Sequence, residues 1–138
     1  MSEAEILAEL STRSEIQWGI LQWWISISFA VMVASYLGAE KLTKTIVCII
    51  ITMYILTSVR AALALGIHNN FLVSLYAALK DLSDSGMLST AGASALDYRE
   101  RTTTGFPAFI TAVWPLLSFF FTIGFTIFCY KYVKKAND

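Results

Sequence analysis

The sequence predicts an all-α integral membrane protein with three transmembrane helices and one short interfacial amphipathic helix. Hydrophobic residues make up 57% of the 138-residue chain and charged residues only 14%, whereas soluble domains carry about 25% charged residues. Three long apolar runs hold almost none of these charges, and each is long enough to cross a hydrocarbon core of about 30 Å. We therefore expect a single membrane domain, residues 1–138, embedded in the lipid bilayer.

The first transmembrane helix is predicted from about residue 15 to residue 38. Ser14 and Gln17 have the spacing of a capping box immediately before the apolar run. Ser2 and Glu5 have the same spacing and predict a separate, shorter helix upstream. Indole rings favour the membrane–water interface, so the tryptophans at the start of the run are predicted interface anchors. These anchors are Trp18, Trp23 and Trp24.

The second transmembrane helix is predicted over about residues 45–65, after a connection so short that it indicates an antiparallel helical hairpin. Arg60 lies within this predicted span, and an intramembrane charge marks a functional site by default. Three roles stay open for it. Its long side chain can reach the interface, it can pair with Gln22 or with an acidic residue such as Glu15, or it can serve conduction or substrate binding.

Residues 71–82 carry apolar side chains at spacings of three and four, which predicts an amphipathic helix. About twelve residues are too few to span a bilayer, so this helix should lie in the interface. Residues 83–95 are rich in Ser, Gly, Ala and Thr without a helical period. We expect residues 83–105 to form a flexible loop, to which residues 97–101 can add a solvated helical turn.

The third transmembrane helix is predicted over about residues 106–130, with Pro107 in its first turn and Pro115 as an internal kink. Hydroxyl-bearing residues recur on one face, which we interpret as a packing or partner face, with the phenylalanines turned largely towards lipid. The residues of this face that we single out are Thr111, Ser118, Thr122 and Thr126. Tyr130 and Tyr132 are predicted interface anchors at the exit.

Every fourth residue in the middle of the first span is small or carries an amide. This small-residue ladder consists of Gln22, Ser26, Ala30, Ala34 and Gly38. Helices in lipid associate through close backbone approach and a few hydrogen bonds, because no hydrophobic force pushes them together. The ladder therefore predicts a docking face, either for other helices of this chain or for another chain.

The sequence supports no catalytic, cofactor-binding or metal site. His68 is the only histidine, and its neighbours Asn69 and Asn70 are poor metal ligands. Asp81 and Asp84 are explained by a solvated helix face, and no phosphate-binding loop or nucleophile elbow accompanies them. Ten basic and ten acidic residues cancel, so nucleic-acid binding is not expected.

These observations predict a non-enzymatic structural or accessory subunit of a membrane assembly, bound to itself or to a larger membrane protein. The alternative is a homo-oligomeric pore or transport-like protein, in which Gln22, Arg60 and the Thr/Ser face line a path. Five lysines flank helix ends on the side of the short hairpin and the C-terminus: Lys41, Lys44, Lys131, Lys134 and Lys135. They favour an orientation with the N-terminus outside and the C-terminus in the cytoplasm, and we expect the location to be the plasma (inner) membrane.

Overall fold

The computed structural model describes the backbone of residues 1–103 and 105–133 and the side chains of residues 1–102 and 113–132. All regular elements in these residues are helical. They are α1 (Glu3–Leu37), a 3₁₀ turn (Ala39–Lys41), α2 (Lys44–Asp84), α3 (Thr90–Thr103), α4 (Gly105–Phe128) and a terminal π-helical segment (Cys129–Val133). By length and composition, α1, α2 and Val113–Tyr132 can each cross a membrane. The prediction of an all-helical chain with three candidate membrane helices is confirmed.

α1 is one continuous helix of 35 residues and begins at Glu3, not near residue 15. The first capping box forms: the Ser2 amide donates to Glu5 Oε2 at 2.7 Å, and the Glu5 amide donates to Ser2 Oγ at 3.3 Å. Ser14 does not start a second helix, because its hydroxyl donates to the Leu10 carbonyl at 2.8 Å. No proline or glycine interrupts the first four turns, so the helix propagates from the first cap.

α2 is also continuous over 41 residues, or about 62 Å at 1.5 Å per residue. The predicted end at residue 65 and the separate interfacial helix over 71–82 are therefore wrong. Gly66 directly follows the predicted end of this span, but no proline closely follows it, and an isolated helical glycine costs only about 1 kcal/mol. Beyond it, Leu72, Leu75 and Leu79 are buried, and their packing stabilises the continuation.

The flexible loop predicted for residues 83–105 is also wrong over most of its length, because α3 occupies Thr90–Thr103. Gly86, with a φ of 71°, lies just after the end of α2, where the left-handed conformation favours glycine. The Met87 amide donates to the Leu82 carbonyl at 3.0 Å and closes that end. Ser89 then caps α3, since its Oγ accepts a hydrogen bond from the Ala91 amide at 3.2 Å.

The chain divides into two compact units. Unit 1 comprises residues 1–20 and 63–112, and therefore contains the first part of α1, the last part of α2, α3 and the start of α4. Its core consists of buried Ile6 and Leu10 from α1 with three leucines from α2. Leu88, Ala95 and Leu96 are partly buried against this cluster. Charged residues occur in its segments of α1 and α2 and in α3.

Unit 2 comprises residues 21–62 and 113–138. Its segments of α1, α2 and α4 with the π-helical end are about 26 to 32 Å long at 1.5 Å per residue, close to the thickness of a hydrocarbon core. Its interior contains buried hydroxyl groups rather than a purely aliphatic core. These belong to Ser28, Ser35, Ser58, Thr122 and Thr126. At one end, Ala39, Leu42, Val47 and Cys129 form a second apolar cluster.

Candidate functional site

α1 packs inside unit 2 through a face that we call the inner α1 face, formed by Trp24, Ser28 and Ser35. All three side chains are buried, and they follow one another at spacings of four and seven residues. Trp24 donates its indole N–H to Ser58 Oγ at 3.0 Å. Trp24 is only 7% exposed and takes part in helix packing, and its predicted role as an interface anchor stays a prediction.

Ser28 and Tyr54 form the second polar contact between α1 and α2. The Ser28 Oγ and Tyr54 OH atoms are 2.8 Å apart, and Ser28 Oγ also lies 2.9 Å from the Trp24 carbonyl. A serine hydroxyl has one proton, and the carbonyl can only accept. Ser28 therefore donates to Trp24, and Tyr54 donates to Ser28. The Tyr54 ring stacks on Phe119 of α4 with 5.7 Å between ring centroids.

The same proton assignment applies between α1 and α4. Thr126 Oγ1 donates to the Thr122 carbonyl at 3.0 Å and lies 3.2 Å from Ser35 Oγ, so Ser35 is the donor to Thr126. Thr122 donates to the Ser118 carbonyl at 2.8 Å. Thr122 and Thr126 are buried, and Ser118 is half-buried. Of the predicted hydroxyl face, Thr111 is the one member whose side chain lies outside the described residues.

The small-residue ladder lies on a different side of α1. Gln22, Ser26, Ala30 and Ala34 are exposed, and Gly38 is half-buried. At about 100° of rotation per residue, the ladder is roughly opposite to the inner α1 face. Ser26 donates to the Gln22 carbonyl at 2.8 Å, which satisfies its hydroxyl within the helix. Packing among the described residues therefore leaves this face uncovered.

Arg60 is exposed and lies inside α2, not near its end. It makes no ion pair or hydrogen bond with any residue that the structure describes, so the pairing with Gln22 or Glu15 is not formed there. The antiparallel Trp24–Ser58 contact puts Arg60 at the level of Gln22. This level is one end of unit 2, which is where a snorkelling side chain is expected.

Exposed aromatic residues mark both ends of unit 2. Trp23 of α1 and Trp114 of α4 are exposed, and the Ser35–Thr126 contact between these helices places both residues at the same end as Arg60. Trp18, which belongs to unit 1, is also exposed. At the opposite end of unit 2, Tyr132 is exposed and Tyr130 is half-buried. For the predicted interface anchors among these aromatic residues, that role stays a prediction.

The described residues bring together no group of three or more His, Cys, Asp or Glu side chains that could hold a metal ion. His68 is half-buried in unit 1, and its Nδ1 is buried without a hydrogen-bond partner among the described residues. Asp81 and Asp84 are exposed. Both cysteines are free thiols, with Cys48 exposed and Cys129 buried.

No protein-family model, no curated protein sequence and no solved structure matches this chain. Its function is therefore inferred from the faces of α1 and from the composition of the two units.

Proposed function

We propose that the chain is a non-enzymatic integral membrane protein that acts as a structural or accessory subunit of a membrane assembly. One observation carries this proposal: α1 uses its inner face within the chain and leaves the small-residue ladder exposed. In lipid, exposed small side chains permit close backbone approach by another helix. The partner in this proposal is a second copy of the chain or a larger membrane protein.

Unit 2 is the part that we propose to cross the bilayer. Support comes from the length of its three helical segments and from the positions of its charges. Glu40, Lys41, Lys44 and Lys131 lie at one end, and Arg60 lies near the other. In unit 1, charged residues lie in the α1 segment, in α3 and in the last turns of α2 (Lys80, Asp81 and Asp84), which favours a position of these parts outside the hydrocarbon core. The lysines at the end of unit 2 opposite to Arg60 support a cytoplasmic C-terminus, and we propose the plasma (inner) membrane as the location.

The geometry of the ladder also favours one kind of docking. On an α-helix, a residue four positions further along is rotated by about 40° around the helix axis, so the ladder winds slowly around α1. A partner that follows this winding crosses α1 with a right-handed angle of about −40°, as in other small-xxx-small contacts. Gln22 adds an exposed amide at one end of the ladder. Its amide has no side-chain partner among the described residues and is available to hydrogen-bond with a partner.

The proposal is tested by replacing Ala30 and Ala34 together with leucine, in the full chain expressed in membranes and extracted with a mild detergent. The leucine side chains would separate the backbones, so the mass of the purified complex should fall to that of the protomer. Ala62→Leu is the matched control, because Ala62 is exposed on α2 and is not part of the ladder. An unchanged complex in the double variant would contradict the proposed docking face.

The homo-oligomeric pore remains the alternative, favoured by the exposure of Gln22 and Arg60 at the same level of unit 2. The hydroxyls of Thr122 and Thr126 give it less support, because they are buried in contacts within the chain. Ion flux through liposomes separates the two functions. Flux that Arg60→Gln abolishes would favour the pore, and absence of flux together with a defined complex would favour the accessory subunit.

A further inference from the structure

We propose that α3 is a releasable cover of unit 1, which folds only while it is docked, and that Glu3 is the latch that holds it. Glu3 lies in the first turn of α1, and Ser89 and Gly92 lie at the start of α3. The carboxylate thus joins two segments that are 86 to 89 residues apart in the sequence. This role is independent of the docking function of the small-residue ladder.

The latch consists of three donors around one carboxylate. The Ser89 amide donates to Glu3 Oε2 at 3.0 Å, the Gly92 amide donates to Glu3 Oε1 at 3.1 Å, and Ser89 Oγ also donates to Oε1. The Ser89 hydroxyl and then its amide are the main causes that lower the pKa of the Glu3 carboxyl. Negative charge at a helix N-terminus is also favoured by the helix dipole.

Gly92 is fitted to this contact. A Cβ at this position would meet Glu3 Oε1 and the side chain of Leu88. Glycine is otherwise unfavourable inside a helix, so here its lack of a side chain permits the close approach of the carboxylate. The glycine at position 92 therefore allows the Glu3 carboxylate to reach the first turn of α3.

The apolar attachment of α3 to the core is limited. No side chain of residues 90–102 is fully buried. Ala95 and Leu96 pack against the core as partly buried residues, and the Arg99 guanidinium lies 4.5 Å from the centroid of the Tyr76 ring. By contrast, the α1 and α2 segments of unit 1 bury Ile6, Leu10 and three leucines in the core. The opening of α3 should therefore precede the separation of α1 from α2.

Isolated α3 would be a poor helix. It has 14 residues, and isolated helices of this length are marginal in water even when they are rich in alanine. Its Gly92 and its several Ser and Thr residues lower its propensity further. Release from Glu3 should therefore unfold α3 and expose the side of the core that Leu88, Ala95 and Leu96 cover.

Glu3→Gln tests the latch in the full chain, purified in detergent micelles, by amide hydrogen exchange read by mass spectrometry. We expect exchange in residues 93–103 to become at least about tenfold faster, because a charge-assisted contact is lost, while residues 63–84 remain unchanged. Trypsin provides a second readout. Cleavage after Arg99 and Arg101 should increase, and cleavage after Lys80 should not. Glu5→Gln is the matched control, since Glu5 caps α1 and does not contact α3.

Gly92→Ala separates lost docking from lost helix propensity. Alanine favours a helix more than glycine does, so a propensity effect alone would slow exchange in α3. We expect faster exchange instead, because the new Cβ displaces the Glu3 carboxylate. Unchanged exchange in both variants would overturn the proposal. Equal acceleration of residues 63–84 and of α3 would also overturn it, because unit 1 would then open as a whole.

Discussion

Ser28→Ala should destabilise the protein more than Tyr54→Phe, although each substitution removes one oxygen from the same hydrogen bond. Tyr54 donates to Ser28, and Ser28 donates to the Trp24 carbonyl, so the two oxygens have different roles. Both side chains are about 2% exposed, so water cannot replace a lost partner. The difference between the free energies of unfolding of the two variants therefore shows which hydroxyl group donates the hydrogen bond.

The magnitudes follow from what each substitution leaves behind. Ser28→Ala leaves the Tyr54 hydroxyl proton buried without an acceptor, which costs about 2 kcal/mol. Tyr54→Phe removes that proton and leaves Ser28 bonded to its own backbone, so the loss should be about 0.6 kcal/mol, typical of interhelical hydrogen bonds in membranes. The double variant has no unsatisfied donor, and it should be about 1 kcal/mol more stable than Ser28→Ala alone.

Equilibrium unfolding of the full chain in mixed micelles gives the free energy of unfolding for the two single variants and the double variant. Tyr36→Phe is the matched control, because Tyr36 is 58% exposed and its variant should match the unmodified chain. Tyr54→Phe removes the hydroxyl and keeps the aromatic ring, so the stacking of this ring on Phe119 is preserved. Equal losses for the two single variants, or losses that add in the double variant, would refute the assigned direction.

Two further predictions follow from the hydroxyl contacts and from the first capping box. Thr126→Val should lower the free energy of unfolding by about 1 to 2 kcal/mol, because it leaves the buried hydroxyl proton of Ser35 without an acceptor. Thr122→Val is the control, because it removes only a hydrogen bond to the backbone of its own helix. An equal loss of stability in Thr122→Val would contradict this reasoning. The Ser2 amide and hydroxyl lower the pKa of the Glu5 carboxyl. The ionised carboxylate of Glu5 should therefore stabilise the start of α1 at any pH above the ordinary pKa of glutamate. This stabilisation should be lost as the pH falls through the lowered pKa of the folded chain. Amide exchange of the first α1 turns should show this acid-dependent fraying, and Glu5→Gln should show no such pH dependence.

The three candidate membrane helices could be predicted because a long apolar run with few charges is typical of a membrane-spanning helix and rare elsewhere. The helix ends were harder to predict. Gly66 has the features of a stop signal, but whether a helix continues past one glycine depends on the packing of the residues beyond it. Leu72, Leu75 and Leu79 provide that packing by contact with Ile6 and Leu10 of α1. Such a contact joins segments that are more than sixty residues apart, and no local pattern records it.

α3 illustrates the same limit more strongly. Its sequence has no clear apolar period, so a loop was the natural prediction. The helix instead depends on two caps: the local Ser89 hydroxyl and the distant Glu3 carboxylate. The local cap was open to prediction, since a serine before a helix is a known start signal. The partnership with Glu3 was not, because sequence alone gives no distance between residues so far apart in the chain.

The choice between the faces of α1 could not be made from periodicity, because both faces have helical spacing. Trp24 and Ser28 repeat every fourth residue, as the small-residue ladder does. Tryptophan is also typical of the membrane–water interface, so the sequence alone did not indicate that Trp24 packs against α2. Tyr54 and Ser58 on α2 are spaced by four residues as well, and the match of two equal spacings on consecutive helices was the available signal.

These matched spacings also explain why the two faces of α1 should behave differently. From the Trp24–Ser58 contact to the Ser28–Tyr54 contact, the residue number rises by four on α1 and falls by four on α2, as an antiparallel pair requires. A slip of one turn would leave a buried donor without an acceptor, so the inner face specifies register. Ser26 is satisfied within its own helix, and Ala30 and Ala34 have no polar side-chain groups. A partner on the small-residue ladder is therefore selected by shape, with Gln22 as the side chain on that face able to fix its register.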